Sequence, residues 1–397
     1  MKKKFALLFV FVIACTEIYA INEKVVVWEQ IYNDVSTDEK RIAVLLKIME
    51  FKDRDFTPFL SGALDRLINR RLEEGTTDEQ YAKNRLARLL VQELGNLKSL
   101  EAAESVFRVY EESAEPHLKS EAAIALGKMR AAEYAERLSV DLASINLAPK
   151  VSEARSQEII AIGLVQSLIA MRSTIGYEPV FLASFGWYSS SSRIKETASA
   201  ALPAMVDDPT DSILDILVTN PSLDIKIAAL ETSLRTSAPD ERKIQVATQA
   251  LKIGIERVTN DIPSRTAASN LRKKAMTALS GLKDNSPDTV PLLIAVIKMD
   301  KKDDATLDET LKAYVALGIN GSDAAADFLS SKLTEYNNFQ KSKANTVRDK
   351  SLIRQIVTSM VLSQNPKVKT PLVQAQFIDY DNSILRMVSD ALTKIPD

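Results

Sequence analysis

Apolar residues recur three and four positions apart along most of the chain after about residue 35, the spacing that places them on one stripe of an α-helix. The clearest segments share a phrase in which a leucine or isoleucine precedes a basic residue, two spaced alanines and a closing leucine. Strong copies stand at 118–126, 194–202 and 271–279. Weaker copies end at Leu46, Leu90, Leu164, Leu317 and Leu392, and most neighbouring copies lie roughly 36 to 46 residues apart. The pattern predicts an array of stacked helix pairs.

The residue types of the phrase indicate how such pairs pack. One helix pair cannot bury its apolar stripe, whereas stacked pairs share a continuous core. The alanines allow a second helix to approach closely. The basic residue before them, Lys119, Lys195 or Arg272 in the strong copies, is predicted to cover apolar surface while its charge stays in water.

The alanine-leucine-glycine steps at 125–127 and 316–318, within these two-alanine helices, resemble the second helix of HEAT repeats. The resemblance covers most of the chain after about residue 35, in roughly ten units. It implies an all-α fold, namely an α-α superhelix (a HEAT-like, armadillo-type solenoid) whose second helices line the concave side. It also implies a scaffold or adaptor that binds protein partners, and it brings no shared catalytic residues.

The first twenty residues are typical of a bacterial export signal, with three lysines before the apolar run 5–14. Cleavage after Ala20 predicts a periplasmic protein. Cleavage before Cys15, in a lipobox-like context, predicts a lipoprotein anchored through that cysteine. Both routes remain open. Residues 21–35 are predicted to form an N-terminal lead-in, and 36–397 the repeat domain with an irregular insertion near 174–192.

Composition narrows the class of function. Apart from Cys15 the chain has no cysteine, so disulfides cannot stabilise the mature protein. Removing the signal takes away three lysines, with or without Glu17, and moves the net charge from −2 to about −4 or −5. This mild acidity argues against nucleic-acid binding. After the N-terminus no apolar stretch reaches the length of a bilayer core, so we expect no transmembrane span.

An irregular segment interrupts the repeat at 176–192. It concentrates aromatic residues in a chain that has few of them: Tyr177, Phe185, Trp187 and Tyr188. Large aromatic side chains dominate binding hot spots, so the segment is a candidate contact site for a partner. Alternatively, its aromatic residues fill a widened core.

Catalytic chemistry finds little support. His117 is the one histidine, which leaves few ways to build a His-based triad or a zinc site, and its place beside a proline favours a turn role. Asp207, Asp208 and Asp211 cluster near a proline, but acids are favoured at helix N-termini without any metal. No phosphate-binding loop or nucleophile elbow is present. We therefore expect no enzyme, no metal and no cofactor.

These observations favour a non-enzymatic scaffold of the bacterial envelope that binds protein partners along its second helices. Polar residues beside the alanine anchors are the candidate contacts: Glu121, Lys128, Glu196, Lys226, Lys273 and Lys312. An enzyme with its site in segment 176–192 and a purely architectural part of an envelope complex are the alternatives. The polar stretch 260–269 is predicted to be a surface loop, and 337–346 to be a solvated loop and helix entry or, alternatively, a basic contact for an acidic partner. The last unit, 382–395, is predicted to cap the array with a polar outer face.

Overall fold

The protein is all-α, as the sequence predicts. A computed structural model describes residues 23–257, 261–300, 306–343 and 345–396, and all regular structure within these ranges is helical. The predicted export signal at 1–20 and Cys15 lie outside the described residues. Among the described helices, none combines the length and apolarity needed to cross a bilayer.

The chain divides into two compact units, Met1–Met205 and Val206–Asp397. The described part of each unit contains five consecutive helix pairs. In unit 1 the pairs are α1 (Glu23–Asp34) with α2 (Asp38–Met49), α3 (Thr57–Asn69) with α4 (Thr77–Asn96), α5 (Ala103–Glu112) with α6 (Pro116–Met129), α7 (Ala135–Leu147) with α8 (Ala154–Met171), and α9 (Tyr177–Ala183) with α10 (Ile194–Met205).

Unit 2 repeats the arrangement with slightly longer helices. Its pairs are α11 (Thr210–Thr219) with α12 (Leu223–Arg235), α13 (Asp240–Glu256) with α14 (Ile262–Gly281), α15 (Val290–Asp300) with α16 (Leu307–Asn320), α17 (Asp323–Lys341) with α18 (Val347–Ser363), and α19 (Lys369–Ala375) with α20 (Asn382–Lys394).

Within each unit the second helix of every pair packs against the second helix of the next pair. This second-helix row runs α2, α4, α6, α8, α10 in unit 1 and α12, α14, α16, α18, α20 in unit 2. The three strong copies of the repeated phrase all lie in these helices, where Ala122, Ala198 and Ala275 are fully buried. Each layer is therefore completed by its neighbour.

Glycines bring some of the second helices very close together. A Cβ added to Gly127 of α6 would lie 2.6 Å from Cα of Ser167 in α8, and one added to Gly318 of α16 would lie 2.6 Å from the carbonyl oxygen of Ser359 in α18. No side chain fits at such distances. The small residue on each side sets the separation of these helices.

The anchor leucines of the repeats are buried, with two exceptions. Leu90, Leu164 and Leu317 have no exposed surface, whereas Leu46 is 44 % exposed and Leu392 is half-buried. Both exceptions lie in the first and last described pairs, where the second helix has a neighbouring second helix on one side only. The prediction that Leu46 faces the core is wrong for this reason.

The two ends of the described chain differ in polarity. The last helix, α20, buries Ile384, Val388 and Ala391 on one stripe and exposes polar residues elsewhere, as expected of a capping unit. In contrast α1 exposes Val26, Val27 and Ile31 while it buries Tyr32. The lead-in predicted at 21–35 is thus largely a helix with apolar residues on its solvent side.

Helices extend into two segments predicted as loops: 262–269 of the first and 337–341 of the second are helical. Helix α14 begins at Ile262, because the side chain of Asp261 accepts a hydrogen bond from the Ser264 amide and the proline at 263 suits a first helical turn. Helix α17 continues to Lys341. Its polar residue Asn337 is buried, where it donates to the Pro371 carbonyl and accepts from the Tyr380 hydroxyl at 2.9 Å.

Candidate binding groove on the second-helix row of unit 2

An open groove of about 670 Å³ crosses the second-helix row of unit 2 where α12, α14 and α16 run side by side. Its volume is in the range of sites that hold drug-sized molecules. Helix α14 supplies half of the lining residues and the flanking helices supply the walls. The lining residues are Leu230, Glu231, Leu234, Asn270, Lys273, Lys274, Thr277, Ala278, Gly281, Leu282, Asp308 and Lys312.

The groove forms because small residues on α14 leave space between the flanking helices α12 and α16. Ala278 carries a single methyl group, and a Cβ added to Gly281 would meet no heavy atom within 4 Å. This is the reverse of the situation at Gly318, where the neighbouring helix fills the space. Along α14 the positions 270, 274, 277, 278 and 281 fall three or four apart, so they share one face of the helix.

The floor of the groove is apolar. Leu230 and Leu234 lie one turn apart on α12, and Ala278 and Leu282 are similarly spaced at the end of α14. Leu230 and Ala278 belong to the core, whereas Leu234 is 36 % exposed. Water therefore contacts an aliphatic surface that an incoming side chain could cover.

The rim is charged and carries a surplus of positive charge. The Lys274 ammonium pairs with the carboxylate of Glu231, and the Lys273 ammonium lies 3.9 Å from the Asp308 carboxylate. Lys312 has no acidic partner among the described residues. Because the whole chain is mildly acidic, this local excess of one positive charge stands out.

A buried ion pair below the rim fixes the spacing of α14 and α16. The Arg272 Nε donates to Glu309 Oε1 at 2.7 Å, and its Nη1 donates to the Gly254 carbonyl at 2.6 Å. Both side chains of the ion pair are almost fully buried. The predicted solvated position of Arg272 is therefore wrong. Burial alone would raise the pKa of Glu309, but the Thr306 amide and Arg272 outweigh it and hold that pKa below its usual range.

The order of residues along the two helices links this ion pair to the groove. Arg272 and Lys273 are adjacent on α14, and Asp308 and Glu309 are adjacent on α16. Arg272 and Glu309 form the buried ion pair, whereas Lys273 and Asp308 face the groove. A fixed helix separation therefore also fixes the width of the groove.

Of the predicted contact residues, Lys273 and Lys312 meet in this groove. Three others lie on the second-helix row of unit 1. Glu121 and Lys128 are half-buried on α6, where Lys128 Nζ donates to the side-chain oxygen of Asn96 at 2.9 Å. Glu196 is exposed on α10 and lies 3.7 Å from the guanidinium of Arg193.

Lys226 is not on the surface, so its prediction as a contact residue is corrected. It is 7 % exposed, and its ammonium donates to the carbonyl oxygen of Leu217 in the last turn of α11. Cations suit the carbonyl end of a helix. Burial, with a smaller contribution from Arg257, lowers the pKa of Lys226. The helix phase deduced from the short motif placed this residue on the wrong face.

The aromatic segment is mainly packed into unit 1. Tyr177 and Tyr188 are buried, which corrects their prediction as contact residues. Trp187 is half-buried and its Nε1 donates to the Ile145 carbonyl at 2.9 Å, while the Tyr188 hydroxyl donates to the Asn146 side chain at 2.6 Å. Phe185 is 47 % exposed. Tyr177 and Tyr188 thus contribute to the core beside the short first helix α9, and Phe185 remains at the surface.

The residues considered for catalysis or metal binding make hydrogen bonds or ion pairs within the fold. His117 is exposed, and its amide donates to the Glu115 carboxylate that caps α6. Asp208 and Asp211 lie 3.0 Å and 2.6 Å from the guanidinium of Arg242. Within the described residues no cluster of three or more histidine, cysteine or acidic side chains is arranged to hold a metal ion.

The groove contains residues that the sequence pattern did not single out as contacts. Leu234 and Gly281 decide its depth, but a leucine near a helix end and an isolated glycine are common in any helical chain. One available signal is that two small residues, Ala278 and Gly281, lie three positions apart and therefore on the same side of the helix.

Comparisons with known proteins identify no family for this chain. No family model matches the chain, and no curated protein matches it. One solved structure, described as an engineered protein of the Northeast Structural Genomics Consortium, is 13 % identical and aligns over 93 % of this chain and 98 % of its own, with a TM-score of 0.36. This weak likeness carries no argument about shape or function.

Proposed function

We propose that this chain is a non-enzymatic scaffold of the bacterial cell envelope that holds a protein partner on its second-helix row. The groove across α12, α14 and α16 is the observation that carries the proposal, because it joins an exposed apolar floor to an unbalanced charged rim on the row that the resemblance to HEAT repeats assigns to binding. The same resemblance supports an α-α superhelix. Sites of this composition suit recognition of another molecule.

The contacts made by the residues that were candidates for catalysis or metal binding also support a role without catalysis. Asp208 and Asp211 already neutralise an arginine, and the polar atoms of Trp187 and Tyr188 bond within unit 1. A catalytic carboxylate or tyrosine would instead face a cleft beside its substrate. The exposed ends of α12 and α14 offer contact area to a partner.

Site-specific photocrosslinking tests the proposal. We would place a photoreactive amino acid at Thr277, which is exposed in the groove, and in a matched variant at Lys252, which is exposed on the first helix α13 of the same pair. Irradiation in the cells that produce the protein is expected to give a discrete protein adduct at Thr277 and none at Lys252. Equal adducts at both positions, or none at either, would contradict a partner on the second-helix row.

The location of the protein needs a separate measurement. Mass spectrometry of the mature N-terminus distinguishes a chain that begins at Ile21 from one that begins at an acylated Cys15. An uncleaved Met1 in the mature protein would contradict export.

A further inference from the structure

We propose that the groove between α12, α14 and α16 binds an acidic peptide segment that carries an aliphatic anchor residue. This inference rests on the proposed function, because it assigns a chemistry to the partner. The apolar floor accounts for the anchor, and the charge of the rim accounts for the acidic flanks.

The anchor site is formed by Leu234 on one side and by Ala278 and Leu282 on the other, with open space above Gly281 and the buried Leu230 beneath. A leucine or isoleucine side chain inserted there would cover the exposed part of Leu234. Burying one such side chain favours binding by roughly tenfold or more. An aliphatic residue is therefore the feature of the partner that the floor selects.

The charge preference comes from the three lysines at the rim. Glu231 and Asp308 offset two of them, and Lys312 is left to attract a carboxylate. Lys273 is only half-buried, and its carboxylate partner is 3.9 Å away, so it too could bond to an incoming anion. A basic segment would face repulsion at the same place.

The open shape favours a peptide over a lipid chain. A lipid tail needs an enclosed apolar channel, whereas here the exposed side chains of Asn270 and Thr277 border the floor along α14. Amide and hydroxyl groups at a rim suit the polar main chain of a peptide, while the centre takes one apolar side chain.

Fluorescence anisotropy with the purified full chain tests the inference. The probe is a short labelled peptide with two central leucines and two acidic residues on each side. Its two controls replace the leucines by serine or the acidic residues by lysine. We expect saturable binding of the probe that weakens at high salt, and binding of each control at least about tenfold weaker.

Variants of the protein locate the binding. Lys312→Glu is expected to weaken the probe about fivefold, because an attraction becomes a repulsion. Lys252→Glu, at an exposed position of α13, is the matched charge control and should leave binding unchanged. Gly281→Leu should fill the groove and abolish binding, with the helical circular dichroism and melting temperature kept.

Several outcomes would overturn the inference: no binding at about 1 mM probe, equal binding of the lysine or serine control, or equal effects of Lys312→Glu and Lys252→Glu. Tighter, Lys312-dependent binding of laurate would assign the groove to a lipid, and a concentration-dependent dimer abolished by Gly281→Leu would assign it to a second copy. If Thr277 crosslinks to a protein while the acidic probe fails, the proposed function stands and this inference falls.

Discussion

The close approach of second helices predicts that one chemical change, glycine to alanine, has opposite effects at different positions. At Gly318 the new methyl group would lie 2.6 Å from the Ser359 carbonyl oxygen and 2.8 Å from its Cα. Both obstacles are backbone atoms, so α16 and α18 must separate. At Gly281 the methyl group would meet nothing within 4 Å.

The expected magnitudes follow from two competing terms. Alanine favours a helix over glycine by about 1 kcal/mol in the interior and by less at an end. Overpacking a tight interface costs about 1–3 kcal/mol, and backbone obstacles place Gly318→Ala near the upper limit. We expect Gly318→Ala to lose about 1–2 kcal/mol of unfolding free energy and Gly281→Ala, at the end of α14, to gain about 0.5 kcal/mol.

Differential scanning calorimetry measures this difference. For a unit of this size the expected shifts are a fall of about 3–6 °C for Gly318→Ala and a rise of about 1–2 °C for Gly281→Ala. Unit 1 offers a second comparison. Gly127→Ala should destabilise it, because Ser167 lies opposite, whereas Gly62→Ala meets only the movable Arg66 guanidinium at 3.5 Å and should not. An unchanged or raised melting temperature for both Gly318→Ala and Gly127→Ala would refute the argument that small residues set the helix separation.

Substitutions of Glu309, Lys226 and Trp187 test polar groups that bond within the two units. Glu309→Ala should lower the free energy of unfolding at pH 7 by about 3–5 kcal/mol, measured by chemical denaturation, because it removes the carboxylate that neutralises the buried guanidinium of Arg272. The matched change at the exposed Asp308, Asp308→Ala, should lower it by about 0.5 kcal/mol or less. Since the folded pKa of Glu309 is lowered, its contribution is complete above the unfolded pKa of about 4.3 and is lost as pH falls through the folded pKa, so the two proteins should converge in acid. The folded pKa of Lys226 is also lowered, but this group is a base, so the unfolded chain binds its proton more readily than the folded one. The stability of the wild type relative to Lys226→Met should therefore rise with pH from the folded pKa to about 10.4. A difference in melting temperature that does not change with pH would contradict this. Trp187→Phe should cost about 1 kcal/mol through its lost hydrogen bond and leave Thr277 crosslinking unchanged, as measured by thermal melting and by adduct yield.

The helical class and the buried anchors could be predicted from sequence because they depend on local spacing. Ala122, Ala275 and Leu317 recur at fixed positions, and each is buried. A residue type that repeats every few turns reports the side of the helix that its neighbours cover. The exposed Leu46 shows the limit of this inference, because burial there depends on whether another layer precedes it.

The site was harder to predict because it depends on helix phase and on the absence of atoms. Lys226 and Lys312 each lie near repeat anchors, yet one caps α11 inside the core and the other reaches the groove. A rotation of about 100° per residue separates these outcomes, and a short motif does not fix the phase that accurately. The space over Gly281 is a property of three helices together, which no local pattern encodes.

The position of the groove follows from where glycines and serines are missing at the second-helix contacts. Gly318 opposes Ser359 and brings α16 close to α18, and Gly127 does the same for α6 and α8 against Ser167. Between α12, α14 and α16 the described glycine at 281 opposes nothing, and the buried pair of Arg272 and Glu309 holds α14 and α16 instead. Because the long side chains of Arg272 and Glu309 meet below the surface, they hold α14 and α16 at a distance and prevent a closer approach of the two helices. The ion pair that holds α14 and α16 together therefore leaves an open surface beside them. A double variant, Arg272→Met with Glu309→Leu, separates the two roles, because it should keep unit 2 folded yet alter the groove. Unchanged binding of the acidic leucine peptide by the double variant would show that the ion pair does not set the width of the groove.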